Sequence, residues 1–206
     1  MYILKTGVST LLAAATFFSG SLIVSQTSLA DSSGTIVAPS SLKTPILNRA
    51  ITTSEVFAAQ TAWGKGLVAI STTYDKNGRD AAKALAEKVI DEAYAYQFGP
   101  VLFKPTLTVA PQTFRTTRAG ALSYFVGGDR AFPMDTGFAL KHWRKVEIKN
   151  AAIFISGNTA TTMGNVIITD KDGKVTTVDK TWQFFKDDRG KVRIILHHSS
   201  LPYTGK

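Results

Sequence analysis

The first half of the folded region has apolar residues at helical spacing. The pattern predicts a helix that Thr53 or Ser54 caps and that runs to about Tyr74, with an apolar stripe at Val56, Phe57, Ala59, Gln60, Trp63, Leu67 and Ile70. The turn signal Lys76-Asn77-Gly78 interrupts this helix. A second helix is predicted from about Arg79 to Tyr96, and Gly99-Pro100 ends it.

Strand patterns dominate the second half. After a strand over 101–109 and a short helix over 113–125, further strands are predicted over 145–156, 159–169, 174–186 and 191–200. Hairpin turn signals separate the last four strands: Gly157-Asn158, Asp170-Lys171-Asp172-Gly173 and Asp187-Asp188-Arg189-Gly190. Successive hairpins form an antiparallel meander. The order of elements therefore predicts an α+β fold, in which N-terminal helices pack on one face of a cone-shaped, curved antiparallel sheet.

The last predicted strand changes from aliphatic to polar at His197-His198-Ser199-Ser200. Side chains alternate along a strand, so Ile195, His197 and Ser199 share one face. Leu196, His198 and Ser200 share the other, and the two histidines point apart. This pattern fits either the polar floor of an apolar pocket or a strand that is leaving the core.

The N-terminus resembles a secretory signal over residues 1–30. Lys5 precedes the apolar stretch 11–24, and Ser28-Leu29-Ala30 forms a small-x-small cleavage site. A Ser-, Pro- and Thr-rich leader over 31–51 and one compact domain over 52–206 follow. We expect export to the periplasm or a thylakoid lumen, with membrane attachment only through an uncleaved signal.

Composition narrows the classes of function. The chain has no cysteine, which excludes disulfides, thiolate metal ligands and a cysteine nucleophile. Its net charge is +9, but the basic residues are scattered and do not alternate with aromatic residues. No nucleic-acid partner is therefore expected.

Four sequence blocks carry a family resemblance: Phe103-Lys104-Pro105-Thr106; Phe114-Arg115-Thr116-Thr117 with Gly120-Ala121-Leu122-Ser123-Tyr124-Phe125; Gly137-Phe138-Ala139; and His197-His198-Ser199-Ser200. In this order they resemble the iota-class carbonic anhydrases, and more narrowly their metal-independent branch, over about Ser54 to Tyr203. The resemblance implies the nuclear transport factor 2-like cone, which the association domain of calmodulin-dependent kinase II also adopts.

The resemblance also implies an activity and a site. The activity is the reversible hydration of carbon dioxide to bicarbonate, without a metal ion or other cofactor. By matching motifs, Thr106, Tyr124 and Ser199 are the candidate catalytic and substrate-binding residues, with His197 beside them. Leu196 stands where other members often carry a further histidine.

The residue chemistry is consistent with this assignment. A catalytic zinc commonly takes three protein ligands, whereas the chain has only three histidines and no HxH or HxxxH spacing. Without a metal, the protein must position a water, stabilise the forming anion and remove a proton. Hydroxyl groups suit the first two tasks, and His197 suits the third because its ordinary pKa is near neutrality.

Two alternatives on the same cone remain open at this level. One is a non-catalytic oligomerisation or small-ligand-binding module, and the other is an isomerase or dehydratase with an acid–base pair in the cavity. A homodimer is expected in each case, because an open apolar sheet face needs cover.

Overall fold

The computed structural model describes residues 49–205. Along the chain the elements are α1 (Thr53–Ala93), β1 (Leu102–Lys104), α2 (Arg118–Val126), a 3-10 helix (Phe138–Leu140), β2 (Trp143–Ser156), β3 (Thr159–Asp170), β4 (Val175–Lys186) and β5 (Val192–Ser200). The signal segment and most of the predicted leader lie outside the described residues. Ile51, at the predicted end of the leader, is buried, and its N–H donates to the Gly157 carbonyl.

The two predicted N-terminal helices form one helical element of 41 residues, α1, with a kink. The kink lies at Gly78, whose φ of 79° and ψ of −176° belong to a region that only glycine adopts readily. Thr52 caps the helix, one residue before the predicted cap, in a reciprocal capping box with Glu55. The helix ends at Ala93 rather than Tyr96, because Tyr94 already bridges to Ile194 of the sheet.

The sheet has five strands in the order β1-β5-β4-β3-β2. The predicted antiparallel meander is confirmed for β2 to β5. The sheet is nevertheless mixed, because β1 pairs with β5 in parallel. The strand predicted over 101–109 is limited to three residues, since Pro105 has no N–H to continue the ladder. The helix predicted from residue 113 starts at Arg118, where Thr117 caps it.

The core lies between α1 and one face of the sheet. Trp63, Leu67 and Ile70 of α1 are buried in it, as the helical stripe predicted, whereas Phe57 is 48% exposed. In the same interface, Gln60 and Asn150 exchange side-chain hydrogen bonds of 2.9 and 2.8 Å. No helix within residues 49–205 is long and apolar enough to cross a membrane.

Gly164 lets two strands approach at a bulge. The pairing of β2 with β3 shifts register between Asn150 and Ala152, opposite Gly164. A Cβ atom on Gly164 would lie 2.1 Å from the carbonyl oxygen of Lys149, far inside van der Waals contact. A side chain at this position would therefore force the two backbones apart.

We predict that Gly164→Ala lowers the free energy of unfolding by about 3 kcal/mol, because the clash is with backbone atoms that cannot turn away. Gly64→Ala is the matched control: its Cβ meets only the Val146 side chain, and alanine favours the helix by roughly 1 kcal/mol. Urea denaturation of both variants measures the difference. Equal losses in the two would contradict this account of the bulge.

Candidate active site

β5 places His197 and Ser199 inside the protein and His198 outside. His197 and Ser199 are 2% and 1% exposed, whereas His198 is exposed. The predicted divergence of the two histidines is confirmed. Ile195, predicted on the same face as His197, is the extra residue of a bulge, because Ile194 pairs with Phe184 while Leu196 pairs with Gln183. The bulge shifts the inward positions so that both Ile194 and His197 face the core.

The parallel pairing of β1 with β5 brings two predicted sequence blocks together. Phe103 lies in register with His197, and their rings stack with centroids 4.3 Å apart. Just beyond the end of β1, the hydroxyl of Thr106 lies 2.5 Å from the hydroxyl of Ser199. The Lys104 ammonium also donates to the Ser199 carbonyl at 3.1 Å. Two of the predicted site hydroxyls are therefore in direct contact.

α2 adds the third hydroxyl, that of Tyr124. The ring of Tyr124 packs between Phe103 and Phe138, with centroids 5.6 and 5.3 Å away. Burial raises the pKa of Tyr124 above its usual range, and hydrogen bonding to Thr106 and the backbone of Leu107 offsets part of that rise. Tyr124 is therefore a neutral phenol near pH 7, able to donate a hydrogen bond next to Thr106.

A buried ion pair holds the loop that follows Thr106. Arg115 donates to both carboxylate oxygens of Asp135, at 3.0 and 2.6 Å, and both side chains are 2% exposed. The Arg115 N–H also donates to the Phe103 carbonyl, and Tyr96 donates to the Arg115 carbonyl. These bonds tie the loop to β1 and give Arg115, in the second sequence block, a role in positioning Thr106.

The predicted residues converge on a small cavity of about 10 Å³, the least that holds one water molecule. Its walls are Trp63, Phe103, Pro105, Thr106, Tyr124, Phe125, Phe138, Lys180 and His197. Ser199 reaches this group through its contact with Thr106. Aromatic rings thus surround a few polar groups, as is usual for a small-molecule site. A larger open groove between α1 and β2 contains none of the four predicted residues.

Sequence reasoning missed Lys180, which lines the same cavity. Its Nζ lies 2.6 Å from Nε2 of His197, and the other imidazole nitrogen, Nδ1, lies 2.9 Å from the Tyr94 hydroxyl. The indole N–H of Trp63 donates to that hydroxyl at 2.9 Å. A chain of four buried polar groups therefore crosses from α1 to β4. The usable signal in the sequence was strand alternation, which puts Lys180 on the same face as Val178, Trp182 and Phe184, and the structure buries these positions.

Burial lowers the pKa of both basic groups in this hydrogen-bond chain, Lys180 and His197. It lowers the pKa of Lys180 to about 7. It also lowers the pKa of His197 well below its usual range, and the nearby Lys180 adds to that effect. His197 is therefore a neutral imidazole at pH 7. Since both of its nitrogens are hydrogen-bonded inside the core, it is a poorer proton acceptor than the sequence suggested.

The described residues 49–205 contain no group of three or more histidine, cysteine, aspartate or glutamate side chains arranged to hold a metal ion. Of the three histidines, His142 contacts Asp75 and Tyr74 and does not line the cavity. The polar groups that face the cavity are hydroxyls, one imidazole and one amine.

Together, the fold and the cavity define an α+β protein with a buried site for a small molecule. A family model described as metal-independent carbonic anhydrase matches residues 54–201. A metal-independent carbonic anhydrase from Nostoc sp. (strain PCC 7120) is 74% identical over 203 residues, which cover 98% of this chain and 99% of the relative. The crystal structure of a cyanobacterial iota-carbonic anhydrase complexed with bicarbonate is 80% identical, with a TM-score of 0.77, and the match covers 80% of this chain and 100% of that one.

The chain belongs to the metal-independent carbonic anhydrase family. The activity expected from the sequence blocks, reversible hydration of carbon dioxide without a metal ion, is confirmed by these matches. They favour this enzyme over a non-catalytic module or an isomerase of the same fold.

We predict that His197→Ala lowers the free energy of unfolding by roughly 2–4 kcal/mol, because it empties a packed position and removes the partner of the Tyr94 hydroxyl proton and of the Lys180 amine. His198→Ala, at an exposed position of the same strand, should change it by no more than about 0.5 kcal/mol. Chemical denaturation of the two variants tests the facing of β5. A larger loss at His198 would mean that the facing is wrong.

Proposed function

We propose that the hydroxyls of Thr106, Tyr124 and Ser199 form the site where this carbonic anhydrase binds and hydrates carbon dioxide. The observation that carries the proposal is their convergence from three separate elements: the segment after β1, α2 and β5. The cyanobacterial relative complexed with bicarbonate, 80% identical to this chain, supports the choice of ligand.

Each hydroxyl can donate and accept hydrogen bonds around a three-oxygen anion. During hydration, a lone pair of the water oxygen forms a bond to carbon, and the π electrons of one C=O bond move onto its oxygen. Negative charge therefore grows on oxygen atoms as the reaction proceeds. Fixed donors in an apolar cavity stabilise that charge better than water does, because they need no reorientation. Packing of Tyr124 between aromatic rings keeps its donor in place.

We predict that Tyr124→Phe, Thr106→Val and Ser199→Ala each lower the rate of hydration by roughly tenfold or more, the scale expected when one positioned donor is lost. These changes remove a hydroxyl with little change in volume, so the melting temperature should fall only modestly. Stopped-flow hydration with a pH indicator measures the rates.

Thr161→Val is the matched control, because Thr161 lies in β3 outside the cavity and makes no contact with the three hydroxyls. Its rate should equal that of the wild type. Unchanged rates in all three site variants would place the site elsewhere.

We also predict that hydration survives removal of metal ions. Protein beginning at residue 31, incubated with a strong chelator and then desalted, should keep its stopped-flow rate and its melting temperature, because metal binding contributes to neither. Trace-metal analysis of the same sample provides the control. Activity lost on chelation and restored by one equivalent of zinc or manganese would contradict the prediction.

We propose that the protein is exported, to a periplasm or a thylakoid lumen. The support is the sequence of residues 1–30, with its basic start, apolar stretch and small-x-small site. N-terminal sequencing of protein purified from fractionated cells tests this. A mature terminus at Asp31 is the expected result, whereas an intact Met1 in the cytoplasmic fraction would contradict it.

We further propose a homodimer that covers the sheet face opposite α1. Large apolar side chains are exposed on that face, with Phe154 and Met163 at 72% and 60%. Sedimentation velocity should show a dimer, and Met163→Lys should weaken it. A monomer at micromolar concentration would overturn this proposal.

A further inference from the structure

Lys180 is a buried basic side chain without an acidic partner among the described residues. It is 5% exposed, and among the described residues its Nζ forms no ion pair and makes one side-chain hydrogen bond, to His197. The rings of Trp63 and Trp182 lie 5.1 and 5.3 Å from Nζ. Burial of an unpaired ammonium is costly, so the site favours the neutral amine.

The order of donors along the buried chain also determines which atom carries each proton. The Trp63 indole can only donate, so the Tyr94 oxygen accepts from it. Tyr94 must then place its own proton, and its remaining hydrogen-bond partner is Nδ1 of His197. The phenol therefore donates to Nδ1, and the neutral imidazole carries its proton on Nε2.

The same order makes Lys180 an acceptor. With its proton on Nε2, His197 donates to Nζ, which accepts only as a neutral amine with a lone pair. In the reverse order, an ammonium would donate to Nε2 and Nδ1–H would donate to Tyr94. The Tyr94 oxygen would then receive two donors, and its own proton would have no acceptor in a fully buried position, which is the costlier arrangement.

We propose that Lys180 is the group that accepts the proton when carbon dioxide is hydrated, and that His197 positions it. The inference rests on the site proposed above, because Nζ faces the cavity lined by Thr106 and Tyr124. Lys180 has the depressed pKa, of about 7, that a base needs near neutrality. The flanking indole rings stabilise the ammonium after it forms.

The step balances without a further reactant. The water oxygen bonds to carbon, a C=O π pair moves onto oxygen, and the breaking O–H bond releases its proton to the Nζ lone pair. The products are bicarbonate and the Lys180 ammonium, which returns its proton to solvent or buffer before the next turnover. As Nζ turns from His197 to the water, the freed Nε2–H faces the same cavity and can donate to a bicarbonate oxygen.

Few other groups titrate near Lys180. His197 faces it from β5, and Tyr94 on α1 faces it through His197. Tyr124 lines the cavity from α2, and burial raises the pKa of both tyrosines above their usual range. The Asp135 carboxylate, which pairs with Arg115, also contributes to the raised pKa of Tyr124. Lys180 is therefore the one cavity group among the described residues that titrates near pH 7.

The sign of the pH dependence follows. Hydration needs the neutral amine, so its rate should rise with pH through about 7 and then level off. Dehydration of bicarbonate needs the ammonium, so its rate should fall over the same interval. A wild-type hydration profile without an inflection between about pH 6 and 8 would overturn the proposal.

Variants of Lys180 distinguish a residue that accepts a proton from one that only supplies a positive charge. Lys180→Met and Lys180→Arg should both lower the hydration rate by at least ~10²-fold and abolish the inflection, because neither side chain offers a neutral amine near pH 7. Lys76→Met, which removes an exposed positive charge, is the control and should behave as wild type. Full activity in Lys180→Arg would show that the site needs only a positive charge, and would overturn the proposal.

Rescue distinguishes a chemical role from a packing role. In Lys180→Ala, added methylamine or ethylamine should restore part of the rate, with a pH dependence that follows the pKa of the amine. Retained folding is checked by circular dichroism. A folded Lys180→Ala without rescue and with a wild-type pH profile would overturn the proposal, and if no variant folds, the wild-type profile decides.

Failure of this inference is distinguishable from failure of the proposed site. If Tyr124→Phe is impaired while Lys180→Met stays within about threefold of wild type, the hydroxyl site stands and Lys180 is not the base. If Lys180→Met is impaired while all three hydroxyl variants are fully active, the proposed hydroxyl site fails. Wild-type protein without hydration activity would overturn both.

Discussion

The site depends on one buried hydrogen-bond chain, from Trp63 through Tyr94 and His197 to Lys180. It joins Trp63 of α1 and Tyr94, the residue that follows α1, to β5 and β4, and every group in it is shielded from water. Because a buried polar group without a partner costs about 1–3 kcal/mol, the four positions constrain one another. These hydrogen bonds thereby fix α1 against β4 and β5. They also orient His197 and Lys180, which line the cavity together with Thr106 and Tyr124.

This arrangement meets the chemical needs of carbon dioxide hydration by a route other than a Lewis acid. In zinc enzymes, the ion lowers the pKa of a bound water and attracts the forming anion. In the mechanism proposed here, positioned hydroxyls supply the donors for the anion, and burial among indole rings brings a lysine into the pKa range of a base. Both effects depend on excluding water, which explains why aromatic side chains form most of the cavity wall.

Much of the fold was predictable because its signals are local. Glycine-containing turns specified the meander, and strand alternation specified that His197 and His198 diverge. Thr106, Tyr124 and Ser199 were identified from family motifs, and the structure brings them together. Lys180 was missed because a lysine between Asp179 and Thr181 looks like an exposed strand residue, and only its alternation with Val178 and Trp182 indicated an inward position. Tyr94 fell inside the second predicted helix, whereas the helix ends at Ala93 and the Tyr94 hydroxyl contacts His197 of β5. The parallel contact of β1 with β5 is non-local and left no pattern in the sequence.

The central claim concerns the protonation state of the hydrogen-bond chain from Trp63 to Lys180. Nitrogen-15 NMR of His197 measures this state directly. At about pH 8, above the lowered pKa of Lys180, the account predicts a neutral imidazole with its proton on Nε2 and an acceptor nitrogen at Nδ1. Lys180→Met should leave the Nδ1 signal in place while shifting that of Nε2, because only the latter loses its partner. A proton on Nδ1, or an imidazolium ion at that pH, would contradict the account.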